Sequence, residues 1–139
     1  MKIQGFEIYV ETTGGTDILD ITARAAEKVL QSGIKDGSMT VFISGATAAV
    51  TTIEYESGVV NDLRRAIGRI APEDIIYEHD QKWGDGNGYA HVRASLLGPS
   101  LNVPVHDRKP LLGTWQQIVV IDFDNRPRRR KVVIQMMGE

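Results

Sequence analysis

Two of the three histidines in the chain, His79 and His91, stand at the ends of the stretch HDQKWGDGNGYAH, residues 79–91. Imidazole ligates metals, moves protons near neutral pH and donates hydrogen bonds to phosphate. Asp80, Asp85 and Asn87 lie between them. A loop that closed on itself would therefore set carboxylates beside imidazoles, which holds a cation or orients a ring. Gly84, Gly86 and Gly88 favour such closure, since glycine reaches backbone angles barred to other residues, while Asp and Asn tolerate the left-handed region. The composition predicts neither helix nor strand before Tyr89. Two exposed or capping histidines are the plainer alternative, because no His-x-His or His-Glu-x-x-His spacing puts both ligands on one element.

A second candidate is RPRRRK, residues 126–131, with cations at Arg126, Arg128, Arg129, Arg130 and Lys131. Strand alternation sends Arg128 and Arg130 to one face and Arg129 and Lys131 to the other. Arg forks match phosphate oxygens, so one face is a candidate for a phosphorylated or otherwise anionic molecule, against the alternative of a solvated strand end. Third, Trp115 and Gln116 open an apolar run. Trp115 is expected in the core, with a platform for a ring-shaped ligand as the alternative.

Composition narrows these options. The chain has no cysteine, which excludes thiolate nucleophiles and Cys-bound zinc, so a divalent metal such as Zn or Mg would need His, carboxylate or water. A net charge of -2 and the lack of aromatics within the Arg patch make nucleic acid an unexpected partner. No membrane partner is expected, because no apolar run approaches the ~20 residues of a span. The N-terminal residues alternate polar and apolar, unlike a secretion signal, and the expected location is cytoplasmic. Walker loops, nucleophile elbows, dinucleotide fingerprints and zinc-protease helices are absent.

The elements that must position these residues follow from periodicity. KIQGFEIYVET, residues 2–12, alternates as a strand covered on one side. Asp17 is expected to cap a helix carrying Ile18, Ile21, Ala25 and Val29, ended by Gly33. SMTVFIS and TAAVTTIEYE read as two strands around a turn at Gly45-Ala46, paired as a hairpin. Val59, Val60, Leu63, Ile67 and Ile70 mark a second helix from Ser57 that Pro72 stops. YAHVRASLLG has short helical character, and LNVPVHD is extended. GTWQQIVVIDFD and RRRKVVIQMMG are expected to pair antiparallel across NRP. The prediction is a single α+β domain over residues 1–139, with a mainly antiparallel sheet, two to three helices and the helices on one face.

The segments YEHD, DGNGYAHVRASLLGPSLNVPV, LLGTWQQI and the Arg-rich end leading into VVIQMMGE resemble the YjbQ-like family, over about Thr40 to the C-terminus. Members of that family have a secondary thiamine-phosphate synthase activity. The resemblance implies a strongly curved sheet and a homotrimer with pockets near subunit boundaries. It implies catalytic roles for His79 and His91, and places Asp85, Asn87, Ser95, Gly113, Thr114, Trp115 and Gln116 at family positions. The chain departs from the pattern in the central hairpin, where Gly45 stands for a family His and Ile53 for an Asn, with Glu54 retained. Tyr89 also replaces a His found in many relatives. The expectation is a small-molecule enzyme or enzyme remnant, in which Gly45→His would add a third imidazole. The alternative is a non-catalytic binding or assembly protein.

Overall fold

The computed structural model describes the whole chain, Met1–Glu139. Eight strands and four helices occur in the order β1 (Lys2–Thr12), β2 (Asp17–Asp20), α1 (Thr22–Ser32), β3 (Gly37–Ile43), β4 (Ala48–Ile53), α2 (Ser57–Ile70), α3 (Glu78–Trp83), α4 (Gly88–Leu97), β5 (Ser100–His106), β6 (Lys109–Pro110), β7 (Gln117–Asp122) and β8 (Arg128–Gly138). Every strand pair is antiparallel, in two sheets of order β1-β8-β3-β5-β6 and β2-β7-β4. The α+β expectation holds, with four helices in place of two to three and two sheets in place of one, and the helices are not confined to one face, since α1 packs in a different apolar layer from α2 and α4.

Two apolar clusters set the layering. Ile8, Met39, Val41, Val103, Val132, Ile134 and Met136 from the larger sheet meet Val50, Ile118 and Val120 from the smaller one, with Ala25 and Val29 of α1. The opposite face of the smaller sheet packs Ala49, Val119, Ile121 and the adjoining Phe123 against Val60 and Ile67 of α2 and Tyr89, Ala90 and Ala94 of α4. Strand β7 is thus covered on both faces, which is why IVVI reads as a continuous apolar run instead of alternating. The outer face of the larger sheet carries no helix.

Three expectations are corrected by this layering. The β7 strand pairs with β2 and β4 and leaves β8 to β1 and β3, because its two apolar faces are satisfied only in the middle of the smaller sheet. For the same reason β3 and β4 are not a hairpin: the turn at Gly45-Ala46 carries the chain from one sheet to the other. Asp17 caps no helix. Residues Asp17–Asp20 pair with β7, the Asp17 carboxylate accepts from the N–H and hydroxyl of Thr13, and Asp20 accepts from the N–H and hydroxyl of Thr22 at the start of α1. Gly33 ends α1 in the left-handed conformation, as expected.

Candidate functional site

The stretch around His79 is more regular than its composition suggests. His79 and Asp80 lie on the short helix α3, and His91 lies on α4. Only Gly84–Asn87 form the loop between the helices. Asp80 ties them together: its Oδ1 accepts the Gly88 N–H at 2.8 Å, satisfying a backbone donor at the start of α4. Gly88 is required for close approach, since a Cβ there would sit 2.6 Å from Cβ of Tyr77. Asn87 is buried; its Oδ1 accepts the Asn125 N–H, and Nδ2 of Asn125 donates to the Asp85 carbonyl. These bonds pin the loop to the turn that precedes β8.

The helix pair brings the histidines together, with ring centroids 4.4 Å apart and planes tilted by 47°. Nε2 of His79 lies 3.2 Å from Oδ2 of Asp85, and one ligand atom each from His79, Asp80 and Asp85 falls within 4.8 Å of the others. Burial works to raise the Asp85 carboxyl. The hydrogen bond with His79, the Asn87 N–H and the His79 charge outweigh it and hold the group below the ordinary carboxylate value. Ligand atoms each ~2 Å from one zinc lie within ~4 Å of each other, so a small closing motion would let all three reach one ion. Nitrogen beside carboxylate oxygen suits zinc better than magnesium, which takes oxygen ligands in a strict octahedron.

Beyond His91 the surface sinks into a cavity of about 210 Å³ lined by Gly45, Ala46, Ala48, His91, Ala94, Ser95 and Pro99. The hydroxyl of Ser95 donates to the His91 carbonyl at 2.8 Å, so its proton is held by the helix. At the inner side lies Arg130, of which Nη1 comes within 2.8 Å of the place a Gly45 Cβ would occupy. A side chain at position 45 would therefore have to displace Nη1 of Arg130, and the φ of 115° disfavours any side chain there.

The alternation read for the basic patch holds. Arg129 and Lys131 face outward to Glu11 and Glu7, and Arg128 and Arg130 face inward. Both inward arginines are engaged by acids that the sequence reading passed over. Nε and Nη2 of Arg130 donate to Oδ2 and Oδ1 of Asp122, and Nη2 also donates to the Thr47 hydroxyl. Nε and Nη2 of Arg128 donate to Oδ2 of Asp124, which accepts from Thr47 as well. Burial pushes the Asp124 carboxyl up, but the Thr47 hydroxyl and Arg128 hold it below its ordinary value. Asp124 thus takes Nε and Nη2 of Arg128, and Nη1 of each arginine is left without an acceptor, that of Arg130 being the one beside Gly45. A signal for the acids existed: Asp122 and Asp124 alternate at the end of an apolar strand and match the alternation of Arg128 and Arg130.

Other candidates lie elsewhere. Trp115 precedes β7 and is 71% exposed, so it is not a core aromatic. It borders a hollow with Asp20, Glu54, Tyr55, Glu56 and Gln117, apart from either histidine. Gln116 accepts from the Gly113 N–H and donates to Thr52, staying the loop before β7. Gly113 and Thr114 belong to that same loop. Tyr89 is buried against α2 and the smaller sheet with the Arg93 guanidinium 4.7 Å from its ring centroid, so it does not stand in for a site histidine.

A single α+β domain with two antiparallel sheets and a paired-histidine cluster at the junction of two helices is the class defined by these features. The family model for the UPF0047 protein YjbQ-like group matches residues 6–139. A UPF0047 protein of Archaeoglobus fulgidus is 35% identical over 131 residues, covering 94% of this chain and 99% of the relative. One from Mycobacterium tuberculosis is 38% identical over 125 residues, covering 84% and 93%. Among solved structures, a YbjQ-like protein of unknown function from Sulfolobus solfataricus superposes with a TM-score of 0.89 at 27% identity, covering 99% and 100% of the chains. A YjbQ/UPF0047 protein from Clostridium acetobutylicum gives 0.87 at 33% identity, covering 95% and 99%. The chain belongs to the YjbQ-like UPF0047 family. No helix is long and apolar enough to cross a membrane.

Proposed function

We propose that His79, Asp80, Asp85 and His91 form a divalent-cation site, best suited to zinc, that anchors a small phosphorylated or otherwise anionic molecule in the cytoplasm. The observation that carries this reading is the cluster of His79, Asp80 and Asp85, whose ligand atoms lie within 4.8 Å of one another, with the His91 ring 4.4 Å from that of His79. A cation there would replace the proton shared by His79 and Asp85, and it would offset negative charge on a substrate. Calorimetric titration of metal-stripped protein with zinc tests it. One strong site in the wild type, weakened about tenfold or more in His79→Ala, is the expected result. No heat of binding, or equal binding by the variant, overturns the reading.

The reaction implied by the family resemblance is formation of thiamine phosphate, in which a pyrimidine diphosphate and a thiazole phosphate join with loss of diphosphate. Cationic groups would stabilise that leaving group. A turnover assay with and without zinc gives the direct test, and wild-type activity that persists unchanged in His91→Ala would remove the histidines from the chemistry.

The second reading is a binding or assembly protein, in which this domain forms a homotrimer and turns nothing over. One observation favours assembly: Ile3, Phe42 and Met137 lie exposed on the uncovered outer face of the larger sheet. Light scattering tests it.

A further inference from the structure

The turn that carries the chain between the two sheets leaves a run of backbone N–H groups unpaired. Ser44 donates its N–H to the Lys131 carbonyl, but the next three backbone N–H groups, of Gly45, Ala46 and Thr47, donate to nothing in the chain. Gly45 and Ala46 are exposed, so their amides are open to a ligand, whereas Thr47 is buried, where more than ~90% of backbone donors find a partner. Arg130 adds a fourth unspent donor beside them. The residue is 8% exposed, its Nε and Nη2 are taken by Asp122 and Thr47, and its Nη1 reaches Gly45 with no acceptor.

We infer that the Gly45–Thr47 turn and Nη1 of Arg130 form an oxyanion subsite, which takes the phosphate group of a small phosphomonoester or free phosphate. Successive backbone N–H groups in a turn that includes a positive-φ residue make an anion-binding concavity, and an arginine N–H strengthens it. Asp122 neutralises the Arg130 charge, so the subsite recognises its ligand by directed hydrogen bonds more than by net charge. Size sets the ligand class. The adjoining cavity, about 210 Å³, is smaller than the ~300–1,000 Å³ of pockets that enclose whole small molecules, so it accepts a tetrahedral group and leaves the remainder of a ligand outside. His91 lines the same cavity with its ring 4.4 Å from that of His79, which places the group next to the cation cluster. The inference deepens the proposed function and rests on it for the small anionic ligand, although its donors are distinct from the cation ligands.

Glycine at 45 then has a function as well as a conformation. A Cβ at this position would lie 2.8 Å from Nη1 and close the approach to the guanidinium. Gly45 is on this view a specificity-determining residue.

The test is amide NMR of uniformly labelled, metal-stripped protein titrated with inorganic phosphate and, separately, with methyl phosphate. Saturable shifts of the Gly45, Ala46 and Thr47 amides are expected, retained in His79→Ala and weakened about tenfold or more in Gly45→Ala. Tighter binding of methyl phosphate marks a phosphomonoester as the ligand; tighter binding of inorganic phosphate marks the free ion. Shifts confined to residues around His79 and Asp85 overturn the subsite while leaving the cation reading intact. Unmoved amides at millimolar concentrations of both anions, or undiminished binding in Gly45→Ala, also overturn it. If Gly45→Ala fails to fold, the wild-type titration alone decides.

Discussion

Arg130 grips Asp122 with both ends of its fork, Nε to Oδ2 at 2.7 Å and Nη2 to Oδ1 at 2.8 Å, across the boundary between the two sheets. Asp122 ends the central strand of the smaller sheet and Arg130 lies on β8, an interior strand of the larger between β1 and β3. The Thr12 hydroxyl and the Asp124 N–H complete the Asp122 carboxylate with two further bonds. Removing one member of such a buried pair strands the other charge. Asp122→Ala is therefore expected to lower unfolding stability by about 3–5 kcal/mol, read from urea denaturation. A loss below about 1 kcal/mol would mean that solvent, not Asp122, solvates Arg130.

The same network predicts an acid response. The folded-state value of Asp124 is depressed, so its contribution is fully present above the unfolded-state value and is lost as pH falls through the lower, folded one. With an ordinary aspartate near 3.9, wild-type stability should decline below about pH 4 and continue declining under it. Asp124→Asn should be less stable at neutral pH and show a shallower acid decline. Urea midpoints measured from pH 6 to pH 2 check this, and parallel curves for the two proteins would exclude Asp124 as a contributor.

Gly45→His, which resemblance alone presents as the restoration of a lost ligand, meets two obstacles here. The backbone φ of 115° strains any side chain, and Nη1 of Arg130 occupies the space. The variant should lose about 1–3 kcal/mol of stability and gain no zinc affinity over wild type. Thermal unfolding and a parallel zinc titration read the two effects separately. Tighter zinc binding at undiminished stability would show that Arg130 yields its place at no cost.

How far the sequence revealed these relationships depended on whether the cause was local. The alternation of Lys2–Thr12, the helix stopped before Pro72 and the inward facing of Arg128 and Arg130 follow from periodicity and chain sterics, and all hold. Strand partners did not follow, because β7 is chosen by two apolar faces that only a layer on each side can satisfy. Asp17–Asp20 carries a helix-like pattern but pairs with β7, a tertiary contact overriding a local preference. The short helix α3 was hidden by the glycines that follow it. His79 and His91 were legible as a pair; the acids that occupy the arginines, and the unpaired amides of Gly45–Thr47, became visible only when the two sheets were brought together.

The final prediction concerns assembly. On the outer face of the larger sheet, Ile3 lies opposite Met137, and Phe42 lies opposite Val133. The row between them, Gly5, Gln135, Thr40 and Asn102, is uncharged. Charge begins in the row of Phe42, where Glu7 lies opposite Val133 and reaches Lys131, and continues along β1 and β8 with Glu11 and Arg129. An exposed apolar and neutral surface bounded by ion pairs has the composition of an interface, with a depleted charge at its centre and a polar rim. If this face mediates the homotrimer, light scattering at micromolar concentration should give three times the chain mass of 15.4 kDa. Phe42→Lys should then shift the mass toward one chain, because it places three cations in a desolvated contact. The conservative change Phe42→Leu should keep the trimer. A wild-type mass of 15.4 kDa would reject assembly altogether, and a trimer untouched by Phe42→Lys would move the interface off this face.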